Sequence, residues 1–151
     1  MPRVSPSVKL YATSQQMHKK KEIHVSEKPT ATELLELGMA TRREVLGDEY
    51  VDNTFASADD FDQDFQELLT TSAWGMVWSR DTLSKRDRSL VTITLLACLG
   101  HYDELALHLK ATENTGLTKA DIREALLHLA IYGGIPAARN AFRVAKEALA
   151  D

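Results

Sequence analysis

From Thr30 to the end of the chain, apolar residues return every three or four positions, the period of a helix with one buried face. Thr30-Ala31-Thr32-Glu33 is a capping box and predicts a helix to about Leu46, with Leu34, Leu37, Ala40 or Thr41, and Val45 on one stripe and Gly47 as its stop. Residues 48–60 read as a polar connection. Asp59 and Asp60 suit the start of a second helix, Phe61 to about Ser72, whose expected buried stripe is Phe61, Phe65, Leu68 and Leu69. The segment Trp74-Gly75-Met76-Val77-Trp78-Ser79-Arg80 reads as a short helical turn packed on the core.

Ser84-Lys85-Arg86-Asp87 is a variant capping box ahead of a helix from Lys85 to Leu99. That helix is apolar nearly all round after its first turn, so it is expected to be the central and most buried one. The stretch Gly100 to Gly116 reads as one helix with a glycine at each end. Thr118-Lys119-Ala120-Asp121 opens a further helix with Ile122, Leu126, Leu129 and Ala130 inward, ending at Gly133-Gly134. Pro136 fits the first turn of a last helix to about Ala150. No strand pattern and no internal repeat occur. The expected fold class is all-α, with about six helices joined by short loops.

Residues 1–29 break this pattern. They carry no helical periodicity, a polar Ser14-Gln15-Gln16 stretch, the basic run Lys19-Lys20-Lys21, and no acid before Glu22. They read as a loosely docked or disordered extension, with a targeting segment as the alternative, ahead of a helical domain spanning 30–151.

At 151 residues the chain is long enough for one domain with a sizeable core. A net charge of −4 argues against nucleic-acid binding. No apolar run is long enough to span a bilayer. The single cysteine, Cys98, excludes an intrachain disulfide and suits a reducing, cytoplasmic compartment. Its apolar helix marks it as an inert core residue.

Candidate chemistry is sparse. There is no phosphate-cradling glycine loop, no metal-ligand spacing and no nucleophile-elbow serine. The histidines are more informative. His18 and His24 fall in the extension, and His101 sits at a helix start. Glu104 and His108 lie four residues apart and share one helix face, a carboxylate one turn from an imidazole. Glu124 and His128 repeat that spacing. The spacing alone is weak, because the same pair on a wet surface carries no chemistry. Arg80, Arg86, Arg88, Arg123 and Arg139 fall near helix ends, and several converging on one cavity would bind a small dianion.

Together, D-F-Q-E-L (64–68), A-W-G-M-V-W-S-R (73–80), R-S-L-V-T-I-T-L-L-A-C-L-G (88–100), D-E-L-A-L-H (103–108) and E-A-L-L-H-L-A-I-Y-G-G-I-P-A-A-R-N-A-F (124–142) resemble the gamma-carboxymuconolactone decarboxylase family. The resemblance covers roughly Thr32 to Ala150. It implies an alkylhydroperoxidase-D-like helical subunit in a homo-oligomer, a trimer or a hexamer. It implies decarboxylation of 4-carboxymuconolactone to 3-oxoadipate enol-lactone in the beta-ketoadipate pathway of aromatic catabolism, without cofactor or metal. The wider superfamily's redox motif is C-x-x-C-x-x-x-H. Aligned through His108, His101 and Glu104 stand where its cysteines would be, so a dithiol cycle is excluded.

On this resemblance His108 is the general acid or the oxyanion donor, and Glu104 orients it. Arg80, Arg88 and Arg139 are the candidates for holding the dianion. Trp74 or Trp78 would wall the leaving carboxylate, and His128 and Tyr132 are further candidates for lining the cavity. Two alternatives stay open: the same fold acting on another small lactone or keto acid, and a non-catalytic oligomeric module in which Glu104 and His108 are structural.

Overall fold

A computed structural model describes residues 28–150; the remainder of the extension, with His18 and His24, lies outside the described residues. Among the described residues the chain is all-α, with eight α-helices and one π-helix and no strand. The α-helices are α1 (Ala31–Leu46), α2 (Asp48–Ser57), α3 (Gln63–Leu69), α4 (Lys85–Leu99), α5 (Tyr102–Lys110), α6 (Thr112–Thr115), α7 (Lys119–Tyr132) and α8 (Ile135–Ala148); the π-helix, Thr70–Trp78, follows α3 directly. None is long and apolar enough to cross a membrane.

Local chemistry sets most of the boundaries. The Thr30 and Glu33 side chains cap one another's backbone in a full capping box, as do Thr118 and Asp121. Ser84 accepts the Asp87 N–H at the start of α4. Gly100 and Gly116 take the left-handed conformation that ends a helix (φ 78° and 79°).

The count exceeds six because two segments are further divided. The polar connection at 48–60 contains α2, whose N-terminal Asp48 and Glu49 suit the helix dipole. The stretch from Gly100 to Gly116 is two helices, α5 and α6, separated at Ala111.

Two buried clusters hold the chain together. The larger joins α4, α5, α7 and α8 through Ile93, Ala97, Leu105, Leu109, Ile122, Leu126, Leu129 and Ala141. The smaller is Val45, Trp74 and Trp78, where α1 packs on the π-helix. That packing is close. A Cβ on Gly38 would collide with the Thr70 carbonyl oxygen, and one on Gly75 with that of Leu34. Only glycine at both positions lets the two helices cross at this distance. Cross-links tie the clusters together: Lys85 to Glu44 at 3.6 Å, and Asn114 Nδ2 donating to the Val45 carbonyl at 3.0 Å.

Three burial expectations are corrected. Phe61, Phe65 and Leu68 are exposed (95%, 58% and 65%) and do not form a buried stripe; only Leu69 of that set packs on the core. α4 is not buried all round: Ser89, Ile93 and Ala97 face inward, whereas Val91, Leu95 and Leu99 are exposed. Cys98 lies on that open side, so it is an exposed thiol and not a core residue. In each case the periodicity marks an apolar face, but nothing among the described residues covers it.

Candidate active site

Against the smaller cluster lies a cavity of about 470 Å³. α1 supplies Arg42 and Leu46; α2, Tyr50 and Thr54; α3, Phe65, Gln66 and Leu69; the π-helix, Ala73, Trp74 and Trp78; α4, Thr92; and α5, Glu104, Leu107 and His108. Six elements therefore meet at one hollow, which is of the size and place a small-ligand site takes.

His108 enters from α5 and stacks against both indoles. Its ring centroid is 6.3 Å from that of Trp74 and 6.0 Å from that of Trp78, with interplanar angles of 14° and 19°. The indoles are themselves 4.9 Å apart. A π-helix carries them, and such segments are rare and frequently found at functional sites. Thr70, Trp74 and Trp78 are all buried, so the wide turn presents one side chain per turn to the interior.

Burial pushes the His108 pKa down to about 4, against a weaker upward pull from the Glu104 carboxylate. The imidazole is therefore neutral at neutral pH, with one N–H donor and one acceptor nitrogen. Its Nδ1 is buried with no hydrogen-bond partner among the described residues. Glu104 lines the same cavity but reaches His108 through its charge, with no hydrogen bond between them.

Arg42 is the residue that sequence reasoning missed. It stands on α1 at 3% exposure. Its Nη1 donates to Gln66 Oε1 and to Thr70 Oγ1, each at 3.1 Å, and its Cζ lies 5.6 Å from the Phe55 ring centroid. Its Nε is buried with no hydrogen-bond partner among the described residues. Burial pushes the guanidinium down from its ordinary value, partly offset by the Tyr50 hydroxyl. Arginine nonetheless stays charged at any ordinary pH. Among the described residues no carboxylate forms an ion pair with it; the acids nearby in sequence, Asp48 and Asp52, pair with Arg43 instead. The one available signal was a charged residue on the buried stripe of α1, between Thr41 and Val45.

The cavity brings together His108, Glu104, Trp74 and Trp78, and leaves out the other predicted site residues. Arg80 is exposed beside a shallow hollow bordered by Lys28, Leu34 and Met76. Arg88 turns back to donate to the Arg80 carbonyl at 3.0 Å. Arg139 is exposed on α8. His128 and Tyr132 pair with each other at 4.5 Å on the open face of α7, away from the cavity. Among the described residues no group of three or more His, Cys, Asp or Glu side chains is arranged to hold a metal.

The 4-carboxymuconolactone decarboxylase of Acinetobacter baylyi is 45% identical over 114 residues, which cover 76% of this chain and 85% of that protein. Nitrosuccinic acid decarboxylase npaB of Metarhizium robertsii is 41% identical over 118 residues, 78% of this chain and 82% of that protein. The model of the carboxymuconolactone decarboxylase family matches residues 63–147, which contain the π-helix, α5 and both His108 and Glu104. The chain belongs to the carboxymuconolactone decarboxylase family.

Proposed function

We propose that the protein is a carboxy-lyase that converts 4-carboxymuconolactone to 3-oxoadipate enol-lactone. The observation that carries this reading is the cavity itself. It holds a neutral histidine against two indoles and a buried arginine that pairs with no carboxylate among the described residues, in a chain 45% identical to a 4-carboxymuconolactone decarboxylase.

The chemistry follows from the substrate's own structure. The bond between the ring carbon and its carboxylate breaks heterolytically and CO2 leaves. The electron pair passes through the ring double bond to the lactone carbonyl, giving a dienolate, and a proton then adds to ring carbon. The electron sink lies in the substrate, so the reaction needs no cofactor. His108 carries the N–H that stabilises the dienolate oxygen and supplies the route for the proton. A dianion entering the cavity raises the imidazole pKa by Coulomb attraction, so binding itself favours loading of the donor. The indole faces then flank the imidazolium favourably. Glu104 adds to that stabilisation through its charge.

A second substrate has a specific observation in its favour, the 41% identity to a nitrosuccinic acid decarboxylase. Nitrosuccinic acid and the lactone share a plan. Each has a carboxylate on a carbon next to an electron-withdrawing group, and each keeps a second carboxylate on a neighbouring CH2. The same site chemistry serves either.

The same reading makes the protein a cytoplasmic homo-oligomer, a trimer or hexamer. An unpaired, exposed Cys98 suits a reducing compartment. Val91, Leu95 and Leu99 of α4 and Ile131 and Tyr132 of α7 form an exposed apolar face of the kind subunits cover.

The test is a spectroscopic decarboxylation assay on 4-carboxymuconolactone, run with wild type and His108→Ala together. Wild-type turnover with the variant slower by about two to four orders of magnitude is expected. CO2 release from nitrosuccinate alone would move the reading to the second substrate. Release from neither would overturn it.

A further inference from the structure

The arginines chosen from helix ends do not reach the cavity, and the arginine that does reach it forms no ion pair with a carboxylate among the described residues. Arg42 is the only Lys or Arg among the described residues that line the hollow. Its hydrogen bonds go to neutral groups, Gln66 Oε1 and Thr70 Oγ1, and its flat face is covered by Phe55. A guanidinium buried to 3% exposure normally sits against a carboxylate, because neutral donors and acceptors do not cancel its charge. Here that place is open. His108 is held differently, by Trp74 and Trp78, and no hydrogen bond or ring contact joins it to Arg42.

We propose that Arg42 is the anchor for the carboxylate that the substrate keeps, and that the carboxylate to be lost is bound beside His108, where no other lysine or arginine among the described residues lines the cavity. This rests on the decarboxylase reading and adds to it a division of labour between the substrate's two charged groups. Arg42 supplies a planar, permanently charged fork that matches a carboxylate. Gln66 and Thr70 fix its orientation, so little freedom is lost when the ligand arrives. The other carboxylate has the indoles and Glu104 for neighbours. Its charge is poorly solvated there, which favours its departure as neutral CO2. A single permanently charged side chain thus sets which carboxylate is retained. Arg42 pairs only with a group that does not react, so it is a specificity-determining residue and not a proton carrier.

Two measurements on the full-length protein test this. In the first, wild type, Arg42→Met and Arg42→Lys are assayed on the lactone and on its analogue with the acetate arm as a methyl ester. Wild type is expected to prefer the diacid through KM by about 30- to 1,000-fold, and Arg42→Met to show almost no preference, with kcat changed far less than KM. The acid-to-ester ratio is internal to each protein and does not depend on the folded fraction. In the second, succinate, which has no electron sink and does not react, is titrated by tryptophan fluorescence. The chain's two tryptophans both line the cavity, so the signal reports this site. Succinate affinity should fall in Arg42→Met by a similar factor. Arg42→Lys, the milder variant, is expected to lose about tenfold.

Wild-type succinate affinity in both variants, with an unchanged acid-to-ester ratio, overturns the anchor. The failure of the reaction reading looks different: wild type releases no CO2 from the lactone, yet succinate binding still depends on Arg42.

Discussion

The His108 imidazole lies nearly parallel to the Trp78 indole, 6.0 Å away between centroids. Trp74 flanks it at 6.3 Å, and the burial this creates holds the His108 pKa near 4. The unfolded chain returns it to about 6.5. Because the folded value is the lower one, the unfolded state takes up the proton first as pH falls. The stability associated with His108 is fully present above about pH 6.5 and declines toward pH 4, by up to about 3 kcal/mol. Urea unfolding at pH 7.5 and pH 5 measures this. The lowered carboxyl pKa values of Glu33 and Asp121 act mainly below that window. Wild type should lose stability between the two pH values, and His108→Leu should lose distinctly less. Equal losses in both proteins would show that the imidazole titrates normally.

The same neutral imidazole has two possible tasks in turnover, and two substitutions separate them. His108→Ala removes both the N–H and the proton route. His108→Asn keeps an N–H donor but cannot carry a proton at neutral pH. If proton delivery limits the rate, both variants fall by about two to four orders of magnitude in kcat. If the hydrogen bond to the dienolate oxygen dominates, His108→Asn recovers a large part of what His108→Ala loses. Single-turnover rates on the lactone, with helical content checked by circular dichroism, decide between them.

Gly75 gives a prediction whose sign is diagnostic. Replacing a mid-helix glycine with alanine ordinarily stabilises a protein by about 0.5–1 kcal/mol. Here the added Cβ would strike the Leu34 carbonyl oxygen, which is backbone and cannot rotate away. Gly75→Ala should instead destabilise by about 1–3 kcal/mol or more. It should also shift Trp74, the next residue, and so alter tryptophan emission. A raised melting temperature with unchanged emission would mean that α1 and the π-helix do not cross as closely as described.

These sites were legible to different degrees for physical reasons. Thr30, Ser84 and Thr118 were readable because a cap is settled within three residues of itself. Glu104 and His108 share a face for the same local reason. Trp74 and Trp78 were readable as packed groups, but the π-helix that carries them has no simple residue signature. Arg42 was opaque because its significance comes from Gln66 and Thr70, 24 and 28 positions away. Arg80, Arg88 and Arg139 looked suitable as charged residues near helix ends, yet chain position does not say what such a residue faces. Phe61, Phe65 and Leu68 show the matching limit for apolar residues. A 3.6-residue period identifies a face, and only the tertiary arrangement says whether anything covers it.

The exposed face of α4 and α7 supplies the last prediction. Val91, Leu95, Leu99, Ile131 and Tyr132 are between 50% and 80% exposed, and Ile135 at the start of α8 is 58% exposed. Leu95, Val91 and His128 border one shallow hollow between the two helices, so these side chains form a continuous surface. An apolar surface of this extent is uncommon on a lone subunit and is the kind that association covers. An aspartate within it is tolerated by a monomer, whose surface substitutions usually change stability by within about 0.5 kcal/mol. Buried between subunits, the same aspartate is an unpaired charge and prevents assembly. Light scattering coupled to size exclusion should therefore give an oligomeric mass for wild type and a smaller one for Leu95→Asp and for Ile131→Asp. Asp64→Asn on α3, a matched change away from this face, should keep the wild-type mass. Identical masses for all four proteins would place the subunit contact elsewhere and leave the α4 and α7 face without a role in assembly.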